Sequence, residues 1–190
     1  VDSEVNFPAA GVNVHATLHH RAAPSRPAPA VLLIAGSGPT DRNGNNPQIR
    51  GSVDTLSSIA TVLGDNGVVS LRYDKLGTGT TELGRYATNP ALIGVEAYQQ
   101  QASAALAFLA AQPEVNPARL GVIGHSEGAL FALQLATTPP TLGSPTVHAL
   151  ALLEPLSKRY LDVVADQLNT KIDSVESVGR TTPAQADAAR

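Results

Sequence analysis

Ser126 stands in the stretch Gly124-His125-Ser126-Glu127-Gly128, between the apolar run 120–123 and a helix-like apolar pattern over 129–135. A serine hydroxyl is a weak nucleophile unless a base takes its proton and donors receive the charge it creates on its target. Strand, Gly-x-Ser-x-Gly and helix, in that order, form part of such machinery, the nucleophile elbow. The sharp turn lifts the hydroxyl above a sheet. Gly124 and Gly128 keep side chains out of a space where strand and helix almost touch. The helix N-terminus brings unpaired N–H groups and the positive end of a dipole. The amide of Glu127, next after the serine, then faces the place where an oxyanion would form. The competing reading is a chance glycine turn, and the β-run before it and helix after it weigh against that.

An oxyanion needs a second donor. The run "AVLLIA", 30–35, passes into Gly36-Ser37-Gly38-Pro39, small residues that let the backbone come close to a substrate. The Ser37 N–H is assigned as that donor. Beyond it, Asp41, Arg42 and Asn43 follow in the loop, and Arg72 and Asp74 end the next strand. These five are expected to brace loops through Asx turns and an arginine–carboxylate pair. The Glu127 side chain is a weaker substrate contact than its amide.

The serine also needs a histidine base and a carboxylate to orient it. His148, the one histidine downstream, begins the strand after the elbow helix, at the wrong end for catalysis. His125 adjoins Ser126 and cannot swing onto its neighbour's hydroxyl. His15, His19 and His20 belong to the N-terminal hairpin, where surface positions are expected. None makes a convincing base. Glu154 closes "VHALALLE" at its carboxyl end and is a candidate acid; the alternative is a solvated or capping carboxylate.

The elements that must hold these groups can be read from periodicity. Residues 5–7 and 12–19 predict two strands around a turn at 8–11, the second alternating apolar and polar side chains. A loop follows over 21–29. Continuous apolar runs at 30–35 and 68–73 predict strands covered on both faces. Helical spacing occurs at 53–63, closed by Gly64 and Gly67, then at 95–111 and 127–136. Strands are predicted at 120–124 and 147–155. Strands alternating with helices after an antiparallel start predict an α/β fold with a mostly parallel sheet. After Pro155, Leu161, Val164, Leu168, Ile172 and Val175 step by three and four along an amphipathic helix, and Thr182-Pro183 opens another.

Composition narrows the function. A 190-residue chain, 43% hydrophobic and 15% charged, suits one globular core. A net charge of -3 points to neither nucleic acid nor an anionic membrane, and no run has the length of a membrane span. Absence of Cys excludes disulfides, cysteine-ligated zinc and a cysteine nucleophile. Gly77-Thr78-Gly79 lacks the third glycine of a dinucleotide fingerprint. No metal or organic cofactor is implied. Val1 stands where a translation product has Met, so removal of a leader, tag or longer N-terminus is expected. The compartment, exported or cytoplasmic, stays open.

"LLIAGSGPTDRNGN", "SLRYDKLGTG" and "GVIGHSEGAL" resemble three successive landmarks of the α/β-hydrolase superfamily. The first two are similar to a bacterial serine esterase subgroup with Gly-Ser-Gly-Pro-x-Asp-Arg-x-Gly-Asn after strand three. That subgroup reads Asp-Lys-Arg-Gly-x-Gly-x-Ser after strand four; Leu76 and Thr80 depart from it here. The resemblance covers residues 1–155 as the N-terminal part of the hydrolase core. It implies further strands carrying acid and His beyond residue 190, and makes 156–190 the start of a helical lid. The expected activity is cleavage of small carboxylic esters through an acyl-enzyme on Ser126, completed by the C-terminal remainder of the same enzyme. A thioesterase, a peptidase, or an inactive hydrolase-fold fragment or binding module are the alternatives.

Overall fold

The computed structural model describes residues 1–21, 26–139 and 144–189. Six strands are joined in one sheet, β1 (Asp2–Ala9), β2 (Val12–His19), β3 (Ala28–Ile34), β4 (Val69–Tyr73), β5 (Val115–His125) and β6 (Ala149–Leu153). Their order is β1-β2-β4-β3-β5-β6. The first two pair antiparallel, β2 runs antiparallel to β4, and the remaining pairs are parallel. The helices are α1 (Thr55–Asp65), α2 (Val95–Ala110), α3 (Gly128–Thr137), α4 (Tyr160–Ser177) and α5 (Pro183–Ala189). The expected loop 21–29 lies partly outside the described residues.

The chain separates into two compact units, Val1–Pro155 and Leu156–Arg190. In the first, Val14, Ala16 and Leu18 of β2 share a buried face with Leu32, Ile34, Leu71, Tyr73, Leu120 and Val122. The same cluster includes Ala102, Ala105, Leu106 and Leu109 of α2 and Phe131 and Ala132 of α3. Alanine at the contact positions of α2 lets that helix lie close on the sheet. Helix α1 packs against β4 and β2 through Leu56, Ala60 and Gly64. Gly64 does not close α1, as its residue type suggested. It sits inside the helix, where an added Cβ would lie 2.3 Å from the His19 ring. In the second unit α4 and α5 contact each other, and Leu161 and Leu168 of α4 stay exposed. The Thr182 hydroxyl caps α5 by accepting from the Gln185 amide at 3.3 Å.

Two further differences from the sequence reading have local causes. Strand β5 begins at Val115, not Leu120, because Val115 pairs with Ala28 before the register shifts to Leu120 opposite Ala30, leaving Asn116–Arg119 bulged between the two pairs. Between 84 and 92 two short 3₁₀ turns lie where no element was expected. They set Tyr86 into a small satellite cluster with Ala10, Leu76 and Ala97. Leu76, one of the two departures from the subgroup motif, is therefore a packing residue.

Candidate active site

Parallel register determines which loops become neighbours. Leu33 lies opposite Arg72, Ile34 opposite Gly124, and His125 opposite Leu153. The segments that follow, Gly36-Ser37, Asp74-Lys75, Ser126-Glu127 and Glu154, therefore emerge side by side at the carboxyl edge of the sheet. This edge is where parallel α/β sheets carry their sites.

Ser126 adopts φ +53°, in the left-handed region, between the end of β5 and the start of α3. For a residue with a Cβ that conformation costs about 1–2 kcal/mol, and surrounding contacts must impose it. Here they do. The Ser126 amide donates to the Leu153 carbonyl at 2.9 Å, which ties the turn to β6. An added Cβ on Gly124 would come within 2.3 Å of the Gly128 carbonyl oxygen, and one on Gly128 within 2.4 Å of the Ile34 carbonyl oxygen. Helix α3 thus starts in direct backbone contact with β3 and β5. Ser126 itself is half-exposed. Among the described residues, the amides of Glu127 and Ser37 donate to no protein acceptor.

The loop carrying Ser37 abuts the elbow. A Cβ on Gly36 would lie 3.3 Å from the Ser126 Cβ and 3.1 Å from His125 Nδ1. On its other side the Thr40 hydroxyl donates to the Ser37 carbonyl at 2.7 Å. The Glu127 carboxylate lies 3.7 Å from the Lys75 ammonium. Burial pushes the Tyr98 hydroxyl pKa up, and the nearby Glu127 carboxylate adds to that.

The polar residues around this loop make bracing contacts. Asp41 accepts from the Asn43 and Asn45 amides, both at 2.9 Å, as an Asx turn. Arg72 donates to the Asn43 side chain at 2.9 Å and pairs with Asp2, also at 2.9 Å. Buried Asp74 accepts from the Arg42 amide at 2.8 Å and the Thr80 amide at 2.9 Å, and lies 3.3 Å from Arg42 Nε. The Thr80 hydroxyl also donates to Asp74, at 3.1 Å, so this second departure keeps an oxygen where the subgroup has Ser. Truncating one partner of a buried pair leaves the other charge unpaired. Asp74→Ala is accordingly expected to cost about 3–5 kcal/mol, read as a lowered urea midpoint.

Among the described residues no histidine or carboxylate is hydrogen-bonded to the Ser126 side chain. No hydrogen bond reaches the Ser126 hydroxyl among the described residues. His148 is exposed at the entry to β6, with its amide donating to the Leu120 carbonyl at 2.8 Å. His15, His19 and His20 are half-exposed on the hairpin; the His19 ring lies against Gly64 of α1 and pairs with Asp2 at 2.7 Å. Glu154 also has a left-handed backbone, φ +47°, but its exposed carboxylate lies 3.9 Å from His125 Nε2 and not at Ser126. The sequence reading passed over Lys75, Thr40 and Gln101. For Lys75 the available signal is its match to the Asp-Lys pair of the subgroup pattern after strand four.

The groove between α2 and α3, lined by Gln99, Ser103, Phe131 and Leu135 among others, does not include Ser126. No group of three metal-ligating side chains occurs among the described residues.

The fold matches that of solved structures. An α/β hydrolase, GrgF, from Penicillium sp. sh18 aligns over 95% of this chain and 55% of its own, with 19% identity and a TM-score of 0.65. The chain has the α/β-hydrolase fold. A proline iminopeptidase from Mycobacterium smegmatis with this fold aligns over 98% of the chain and 58% of its own, at 16% identity and a TM-score of 0.63. A dienelactone hydrolase-like promiscuous phosphotriesterase, P91, from metagenomic libraries aligns over 85% and 63%, at 23% identity and a TM-score of 0.58. The chain thus spans between 55% and 63% of the length of these α/β-hydrolase-fold structures. No protein-family model and no curated protein matches the sequence.

Proposed function

We propose that this chain is the N-terminal part of a serine hydrolase acting on carboxylic esters, of the bacterial subgroup that its oxyanion loop resembles. The observation that carries the reading is the half-exposed Ser126, held at φ +53° at a strand–helix junction beside Gly36. In the reaction the Ser126 oxygen bonds to the acyl carbon and the base takes its proton. The amides of Glu127 and Ser37 hold the oxyanion. The alcohol leaves with the base's proton, and water then cleaves the acyl-enzyme. The base and the acid would come from sequence beyond residue 190, with 156–190 as the start of the cap. Glu154 stands as a second-choice acid.

The neighbours carry different chemistries on one fold, among them an iminopeptidase and a phosphotriesterase, so fold alone does not select the ester. A fluorophosphonate probe applied to the polypeptide extended past Arg190 is expected to label Ser126. Turnover of p-nitrophenyl esters is expected to exceed that of acyl-CoA and peptide amides. An unlabelled Ser126 in the extended protein would favour the other reading, an inactive fragment or binding module. That reading's support is the absence of any base at the hydroxyl among the described residues.

A further inference from the structure

Lys75 is buried at the carboxyl edge of the sheet, directly after β4. Its ammonium donates to the carbonyl of Gly36, lies 3.7 Å from the Glu127 carboxylate and 6.0 Å from the centroid of the Tyr98 ring. Its backbone is held as well. The Lys75 carbonyl accepts from the Thr78 amide at 2.9 Å and the Thr78 hydroxyl at 3.0 Å, and the Leu76 amide donates to buried Gln101 at 2.9 Å. The head group therefore has little freedom to leave its place.

The Gly36 carbonyl and the Ser37 N–H belong to one peptide unit. In a trans peptide these two groups point in opposite directions. Whatever fixes the carbonyl fixes the donor. A glycine beside this unit makes that necessary, since Gly36 has no Cβ to oppose rotation of the peptide. A flipped unit would present a carbonyl oxygen to the oxyanion in place of an N–H. We propose that Lys75 is a positioning residue that locks the Gly36–Ser37 peptide with its N–H toward the reacting carbonyl. Through Glu127 the same ammonium also ties the elbow to the oxyanion loop, so one side chain joins both donor segments. The positive charge on the carbonyl further polarises the N–H that opposes it. This inference rests on the serine-hydrolase reading for its catalytic consequence, but not for the lock itself.

The test uses the polypeptide extended past Arg190. Lys75→Met is expected to lower kcat by about 10²-fold, within the range for loss of one oxyanion donor, with KM changed less than about threefold. Affinity for a boronic acid that forms the tetrahedral adduct should fall in the same proportion. Lys75→Arg, which retains a cation, should recover part of both. In the nuclear magnetic resonance spectrum of ¹⁵N-labelled protein, the Ser37 amide should shift and lose its single conformation in Lys75→Met. If Lys75→Met does not fold, Lys75→Gln serves, with an intermediate kcat and the same Ser37 readout. A Ser37 peptide that keeps its wild-type conformation in the variant overturns the lock. Unchanged kcat in a variant of labelled wild-type enzyme overturns its role in catalysis. Failure of wild-type Ser126 to label counts against the hydrolase reading alone, because the Ser37 spectrum still decides the lock.

Discussion

Ser126→Ala is expected to reduce kcat of the extended enzyme by about 10⁴- to 10⁶-fold, the scale seen when a triad member is removed from a serine hydrolase. It should also abolish fluorophosphonate labelling, while the melting temperature stays near wild type. The last expectation follows from the backbone. Alanine keeps the Cβ that makes φ +53° costly, so strain at the elbow is unchanged. Ser126→Gly separates the two effects. It removes the nucleophile and also the Cβ, and should raise stability by about 1 kcal/mol, which in a chain of this size is about 2–4 °C. A variant that is inactive and more stable is the signature of a residue held under strain for chemistry. If Ser126→Gly melted at or below the wild-type temperature, the strained-elbow account would be wrong. If Ser126→Ala kept more than about one per cent of kcat, the nucleophile would lie elsewhere.

The parts of the fold that were legible in the sequence are those with strong local signals. Strand β2 alternates along its whole length and was placed at its observed limits, Val12–His19. Strands β3 and β4, inside the sheet, are visible as continuous apolar runs because both their faces are covered. Glycine punctuation misled at Gly64, where a long-range contact with His19 decides its place in α1. The start of strand β5 is not legible, because the bulged residues 116–119 separate the Val115–Ala28 pair from the apolar run at 120–123. The site followed the same division. Ser126 could be found because strand, turn and helix are contiguous. Lys75 matches the subgroup pattern, but its contacts are not legible, because Gly36 and Glu127 are distant in sequence and become its neighbours only through the crossovers of β3, β4 and β5. A missing base gives no sequence signal beyond a lack of suitable histidines.

The second large effect is expected at Gly128. Gly128→Ala should leave the chain largely unfolded or insoluble, a loss of about 4 kcal/mol or more against a total stability on the order of 5–15 kcal/mol. An alanine Cβ there would lie 2.4 Å from the carbonyl oxygen of Ile34 and 2.7 Å from that of Ala35. Both obstacles are main-chain atoms of a central strand, so no side chain can rotate to make room. Relief requires α3 to move away from β3, and this would open the core around Phe131 and Ala132. Gly67→Ala is the control. Gly67, unlike Gly128, has a positive φ, +75°, and an added Cβ there meets nothing within 4 Å. It should therefore cost only the conformational penalty, about 1 kcal/mol. Circular dichroism melts of the two variants would show the contrast. A Gly128→Ala protein that melts within a few degrees of Gly67→Ala would mean that the helix is not seated on the strand ends. The proximity of elbow and oxyanion loop depends on that seating, so such a result would remove the geometric basis for assigning the amides of Ser37 and Glu127 to one site.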